Sequence, residues 1–238
     1  MKNIFTNILD LIFPPSCKTC GKVMRGERKV CFCRECWDSI RKIKDPFCLY
    51  CGKQLILSDD HFCADCSVRR LSFVDNRSSG VYEGVLKEAL HEFKYKGKKS
   101  LGKYLGEFMV ACIRENGGWN DIDLIIPVPI SDSKREKREY NQTEILAEYL
   151  GAEFKIPVIK NVLIRSKDTL AQYKLSKEQR FKNISGAFNV KYTEKIKWAS
   201  VLLVDDLFTS GATADECSKT LLGAGASQIR VFTLARGL

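Results

Sequence analysis

The sequence predicts an α/β fold, a parallel β-sheet flanked by helices, with a small metal-binding domain at its N-terminal end. Three observations carry this. Residues 201–204 are a continuous Val-Leu-Leu-Val run, as expected of a central parallel strand buried on both faces. Apolar residues at helical spacing between 85 and 112 alternate with strand-like runs at 121–129 and 228–234. Most of the eleven cysteines fall between residues 17 and 66, at spacings that suit a tetrahedral metal ion.

The bulk composition agrees. At 238 residues the chain holds one full domain plus a small appended one. Hydrophobic residues make up 45% and charged residues 29%, which is ordinary for a folded chain. No apolar run approaches the ~20 residues of a transmembrane segment. The first residues, MKNIFTNILDLIF, place Ile4, Phe5, Ile8, Leu9, Ile12 and Phe13 in an amphipathic pattern. They lack the basic region and small-residue cleavage site of a secretion signal, so an amphipathic helix docked on the protein or a partner is expected, and a cytoplasmic location. The formal charge is +10; eight zinc-bound thiolates and two zinc ions would lower it to about +6. That surplus favours anionic partners without choosing among phosphates, nucleic acid and acidic proteins. The clusters Lys94, Lys96, Lys98, Lys99, Lys103 and Lys134, Arg135, Lys137, Arg138 are either solvated faces or anion contacts.

Eight cysteines form four C-x-x-C pairs: Cys17/Cys20, Cys33/Cys36, Cys48/Cys51 and Cys63/Cys66. The similar spacers within each half suggest a duplicated zinc ribbon or knuckle. Two intervening residues let both sulfurs reach one ion about 2.3 Å away. Gly21 and Gly52 follow the first and third pairs, where a turn with positive φ is useful. A disulfide framework would need an oxidising compartment. Two four-cysteine sites are favoured, with sequential and crossed pairing both open, and with Cys31 and His61 as spare ligand types. A closed thiolate shell makes the zinc structural. The zinc domain is placed at 1–70 and the α/β domain at 71–238.

Within the α/β part, 73–84 reads as two short strands around a turn at 76–80. Helices follow over 85–95 and from 101 to 112, with Cys112, like Cys217, a buried small hydrophobe. Residues 97–104 mimic the G-x-x-x-x-G-K-[ST] phosphate loop. Tyr104 stands where the hydroxyl should be, and no strand precedes Gly97, so an ATPase loop is rejected. The strand at 121–129 (DIDLIIPVP) ends in a proline-punctuated loop, and 131–142 (SDSKREKREYNQ) reads as a mobile basic loop before a helix over 143–150.

The strand at 201–204 ends in Asp205 and Asp206. Adjacent carboxylates repel and need diols, a metal or basic partners. Thr209, Ser210, Gly211, Ala212 and Thr213 then offer hydroxyls and backbone N–H groups to a phosphate, ahead of a helix whose dipole favours an anion.

Residues 201–213, VLLVDDLFTSGAT, resemble the 5-phosphoribosyl pyrophosphate (PRPP) motif of type I phosphoribosyltransferases. Together with the four C-x-x-C pairs, FKYKG at 93–97, IIPVP at 125–129, YNQ at 140–142, Arg165, Gln172, Arg180 and Asn183, the motif order is similar to that of the ComF family. The resemblance implies a type I phosphoribosyltransferase-like parallel sheet flanked by helices, with a small N-terminal zinc-ribbon/knuckle domain. It implies that Asp205 and Asp206 hold the ribose hydroxyls and that Thr209, Ser210, Gly211, Ala212 and Thr213 hold the 5′-phosphate. Lys94, Arg138, Asn141 and Gln142 would line a basic mouth for pyrophosphate, with Mg²⁺ bound alongside PRPP. It further implies a role in DNA uptake during natural transformation, with single-stranded DNA and a competence helicase or DNA-processing protein as partners. In one variant of this reading the chain is an active transferase; in the other it only binds. Glu139 departs from the family pattern, which has glycine there.

Overall fold

The computed structural model describes residues 14–24, 31–56, 61–169 and 175–237. The expected N-terminal helix and Gln172 lie outside the described residues. The cysteine-rich part contributes two short helices, α1 (Arg34–Asp38) and α2 (Ala64–Ser67). Next come β1 (Asn76–Val81), α3 (Gly84–Tyr95), α4 (Leu101–Glu115), β2 (Leu124–Pro127), α5 (Asp132–Arg138) and α6 (Gln142–Phe154). The chain continues with β3 (Leu163–Arg165), α7 (Lys177–Ile184), β4 (Phe188–Val190), β5 (Ser200–Phe208), α8 (Ala212–Gly223) and β6 (Gln228–Arg236).

The main sheet has four strands in the order β1-β6-β5-β2, and every pairing is parallel. Strands β3 and β4 form a separate antiparallel pair. The period-two alternation of side chains divides the apolar runs between two cores. Leu202, Val204, Phe232 and Leu234 join α3, α4 and α6 on one face. Val201, Leu203, Ile229 and Val231 join α8 and the β3–β4 pair on the other. A strand apolar at every position is thereby covered on both sides, which is why β5 reads as a run rather than an alternation.

Two segments differ from the sequence expectation. The turn expected at 76–80 is strand β1. Two of its polar residues find partners that no local pattern shows: Ser78 Oγ lies 2.6 Å from Thr233 Oγ1 on β6, and Arg77 donates to Asn116 O at 2.9 Å. On its other edge, Ile43 N–H donates to Ser79 O (3.1 Å) and Val81 N–H to Arg41 O (2.9 Å). The segment between the two cysteine clusters thus covers the exposed edge of β1, which would otherwise offer unpaired N–H and C=O groups. The mobile loop expected at 131–142 contains α5. Lys, Arg and Glu are good helix formers, Lys134 and Arg135 N–H close the first turn on Ser131 O, and Arg135 pairs with Glu144 of α6. The helix stops at Glu139, whose φ of 64° is left-handed. Gly97 follows helix α3, in line with rejection of the ATPase loop.

Candidate functional site

The eight paired cysteines form two clusters, Cys17/Cys20/Cys33/Cys36 and Cys48/Cys51/Cys63/Cys66, with ligand atoms within 4.8 Å of one another in each. The pairing is sequential. Cys20 and Cys33 Sγ are 3.7 Å apart, as are Cys51 and Cys63 Sγ. Sulfurs bound tetrahedrally at 2.3 Å from one zinc would stand about 3.8 Å apart, so both clusters fit the ion. Cys48 is drawn down to about 4 by the hydrogen bond from Cys51, and the same contact pushes Cys51 well above the thiol range. Four thiols this crowded ionise together only around a cation. Cys31 and His61 serve by their backbones, accepting from Lys18 and Leu49 N–H at 2.9 Å in each case. Both clusters use a Cys as N-cap of a short helix, Cys33 for α1 and Cys63 for α2.

The second centre is a cleft of about 1180 Å³ at the carboxyl ends of β5 and β2, where parallel α/β sheets bind ligands. Strand β5 runs on through Asp205 and Asp206 to Phe208. Lys94 from α3 contacts Asp206 across the cleft, Nζ to Oδ1 at 2.6 Å. Burial pushes the Asp205 carboxyl up to about 7, reinforced by the Asp206 charge. Thr209, Ser210 and Thr213 line the cleft beside the acids. Gly211 makes the turn into α8 at φ 82°, and Ala212 opens the helix. A Cβ on Gly211 would come within 2.8 Å of Phe208 Cζ, so the loop is closely seated.

Ten basic side chains face three carboxylates in this cleft. Lys94, Lys134, Arg138 and Arg165 crowd its inner end. Burial, then the charges of Arg165, Arg138 and Lys94, holds Lys134 below the ordinary lysine value; burial does the same to Arg165. A cluster of cations in which Lys134 is held down by burial and by its neighbours' charges favours an anionic ligand.

Lys94, Arg138, Asp205, Asp206, Thr209, Ser210 and Thr213 therefore meet as expected. Asn141 and Gln142 do not line the cleft, which corrects the expectation. Both are buried. Asn141 caps α6 through Thr143 N–H and donates to Val128 O at 3.1 Å, holding the loop after β2 from beneath. Gln142 Oε1 accepts from Arg138 at 3.1 Å. Sequence reasoning missed Arg236, Arg69 and the wall built by the second cysteine cluster, which contributes Cys51, Lys53, Cys63, Asp65 and Cys66. These residues are remote in sequence from the hydroxyl loop at 209–213, and no spacing points to them.

Residues 8–67 match the family described as Double zinc ribbon domain. The chain is 30% identical over 208 residues to Competence protein F of Haemophilus influenzae, covering 86% of this chain and 90% of that protein. The chain belongs to the ComF family. Its ComF-family relatives include Competence protein ComFC of Bacillus subtilis, 28% identical over 224 residues, covering 90% of this chain and 87% of that protein. DNA utilization protein YhgH of Escherichia coli K12 is 25% identical over 160 residues, covering 66% and 70%. Among solved structures, glutamine PRPP amidotransferase from Bacillus subtilis, complexed with ADP and GMP, is similar at 18% identity and TM-score 0.40, covering 60% of this chain and 30% of that one. Adenine phosphoribosyltransferase from Leishmania tarentolae is similar at 15% identity and TM-score 0.35, covering 57% and 70%. The architecture read from the sequence, a parallel sheet flanked by helices with an N-terminal zinc-ribbon domain, holds for this ComF-family chain. No helix among the described residues is long and apolar enough to cross a membrane.

Proposed function

We propose that the cleft binds PRPP or the 5′-phosphate end of a nucleotide, and that the protein uses this ligand in DNA uptake. One observation supports this above the rest: strand β5 carries Asp205 and Asp206 to the same cleft as the hydroxyl loop, opposite the cations Lys94, Lys134 and Arg165. Asp205 and Asp206 would accept from the ribose 2′ and 3′ hydroxyls. Thr209, Ser210 and Thr213, with the backbone at Gly211 and Ala212, would hold the 5′-phosphate at the start of α8. Lys94, Lys134, Arg138 and Arg165 would take the pyrophosphate, with Asn141 and Gln142 supporting them. Mg²⁺ would enter with the pyrophosphate, bound largely by phosphate oxygens. The DNA utilization role of the YhgH relative, the basic surplus and the zinc ribbons support single-stranded DNA and a competence helicase or DNA-processing protein as partners.

Calorimetric titration of PRPP with and without Mg²⁺ tests the ligand. Saturable binding that Asp206→Asn weakens supports the reading; no binding in either condition refutes it. The clustered cations also suit a leaving pyrophosphate in a transfer reaction. Pyrophosphate release from PRPP with a base or amine acceptor, lost in Asp205→Asn, would make the protein a transferase rather than a binding module. Single-stranded DNA binding that falls steeply with salt would support the nucleic-acid partner.

A further inference from the structure

The two cysteine clusters have near-identical internal geometry and different surroundings. None of the described residues 14–24 or 31–38 of the first ribbon lines the cleft, whereas the second ribbon forms one of its walls. Two physical links run from that wall to the phosphate loop.

The first link is a row of aromatic rings. Phe62, beside Cys63, stacks on Tyr50, beside Cys51, with centroids 4.9 Å apart. Tyr50 meets Phe73 edge-on at 6.3 Å, and Phe73 meets Phe208 edge-on at 6.2 Å. Phe208 is the residue before Thr209, and its ring tip is the atom that a Cβ on Gly211 would strike at 2.8 Å.

The second link is polar. Arg236, at the end of β6, donates from Nε to Cys51 O at 2.6 Å and from Nη1 to Phe208 O at 3.4 Å. Its guanidinium also lies 5.4 Å from the Phe208 ring centroid. One side chain thus joins the backbone of a zinc-ligating residue to the backbone that opens the phosphate loop, and it faces the cleft itself.

We propose that the second zinc site and the ligand cleft form one thermodynamic unit, with Arg236 and the Phe62–Tyr50–Phe73–Phe208 row as positioning residues for the loop at 209–213. Zinc in the second site holds Cys51 and Cys63, and through them the aromatic row, in register with the loop. Binding linkage is reciprocal, so a ligand seated on the loop must also retain that zinc. The first ribbon packs on helix α3, where Lys18 pairs with Glu92 at 2.6 Å, and its zinc lies outside the unit. The ligand arm of this proposal rests on the reading of the cleft as a PRPP site; the coupling of zinc to the loop does not.

Two measurements on the full chain decide it. Zinc released to a chromogenic chelator should appear in two phases, and PRPP with Mg²⁺ should slow one of them by about fivefold or more. Arg236→Gln should keep two zinc ions per chain, reduce that protection to about twofold or less, and weaken PRPP binding about tenfold. Independently of any ligand, amide hydrogen exchange at 209–213 should accelerate in Cys63→Ser and in Arg236→Gln but not in Cys33→Ser, each cysteine variant holding one zinc. Equal exchange of that loop in Cys63→Ser and Cys33→Ser, with Arg236→Gln at the wild-type rate, overturns the proposal even if PRPP binds. Failure of PRPP to bind the wild-type protein overturns the ligand reading instead, while the exchange result still decides the coupling.

Discussion

The two zinc ribbons are close to copies of one another, and their neighbours give them different work. In each, a Cys N–H closes on a Lys carbonyl five residues on (Cys17 to Lys22, Cys48 to Lys53, both 2.8 Å), and a Gly N–H returns to that Cys carbonyl at 2.8 Å. Yet Cys17 and Cys33 are packed into the core of helices α3, α4 and α6, while Cys48 and Cys51 are packed into the core shared with Phe208, Ala212 and α8. The first ribbon therefore caps a helical layer. The second forms part of the cleft, because its partners are the residues that set the hydroxyl loop at 209–213. Cysteine spacing sets the internal geometry of a ribbon, and packing decides what it touches.

Removing one ligand from each ribbon should produce the largest contrast. Cys48→Ser and Cys17→Ser each replace a buried thiol and should each lower zinc from two ions per chain to one, measurable by mass spectrometry or elemental analysis. Structural zinc carries folding free energy directly, so both variants should be strongly destabilised. Only Cys48→Ser should also abolish PRPP binding, by about 100-fold or more. Equal ligand affinities in the two variants would erase the distinction.

The matched glycines offer a milder version of the same test. Gly21 and Gly52 have φ of 73° and 65°, but a Cβ on Gly21 meets nothing within 4 Å. A Cβ on Gly52 would lie 3.0 Å from Asn76 Nδ2 and 3.1 Å from Ser78 Oγ on β1. Gly21→Ala should cost about 1 kcal/mol, the left-handed penalty alone. Gly52→Ala should cost about 2–3 kcal/mol in denaturant unfolding, because the ribbon must also move away from the sheet.

The cleft should respond to pH in a way that the first ribbon does not. Asp205 is raised from 3.8 to about 7 by burial and by Asp206. Above pH 4 the unfolded chain has lost this proton while the folded chain keeps it up to about 7, so this group's contribution to stability falls as pH rises through that window. Asp205→Asn should remove that decline, seen as flatter thermal stability between pH 4 and 7. A Mg²⁺-bound ligand should draw the proton off Asp205, so binding near pH 6.5 should release protons, detectable by calorimetry in buffers of different ionisation heat.

The smallest effect lies farther from both ribbons. Glu139 is exposed at φ 64°, a conformation that glycine adopts without penalty. Glu139→Gly should stabilise the chain by about 0.5–1 kcal/mol and leave zinc content unchanged. It should also show whether removing this carboxylate beside Arg138 strengthens PRPP binding.

Legibility in the sequence followed the range of the interactions involved. Strand β5, its two acids, the hydroxyl loop and the four cysteine pairs are each set by neighbours within a few residues, and each was readable. Strand β1 was misread as a turn because Ser78 pairs with Thr233 of β6 and the strand's backbone bonds to the segment before the second ribbon. Helix α5 was misread because Arg135 pairs with Glu144 of α6, a contact outside the local pattern. Asn141 carries a site-like residue type in a site-like motif, but its side chain is spent on Val128 O and a helix cap.

The sequence by itself determined two sets of side chains in this protein, thiolate clusters suited to zinc and an acid-and-hydroxyl strand end for which a phosphorylated ribose is the proposed ligand. C-x-x-C spacing and an apolar run ending in carboxylates constrain geometry within one or two turns of chain. Which ribbon would face the cleft, and that Arg236 would bridge it to the hydroxyl loop, was decided only in the tertiary structure. Those contacts join residues 51, 208 and 236, and they exist only once the parallel sheet has brought the carboxyl ends of β5 and β6 together beneath the second ribbon.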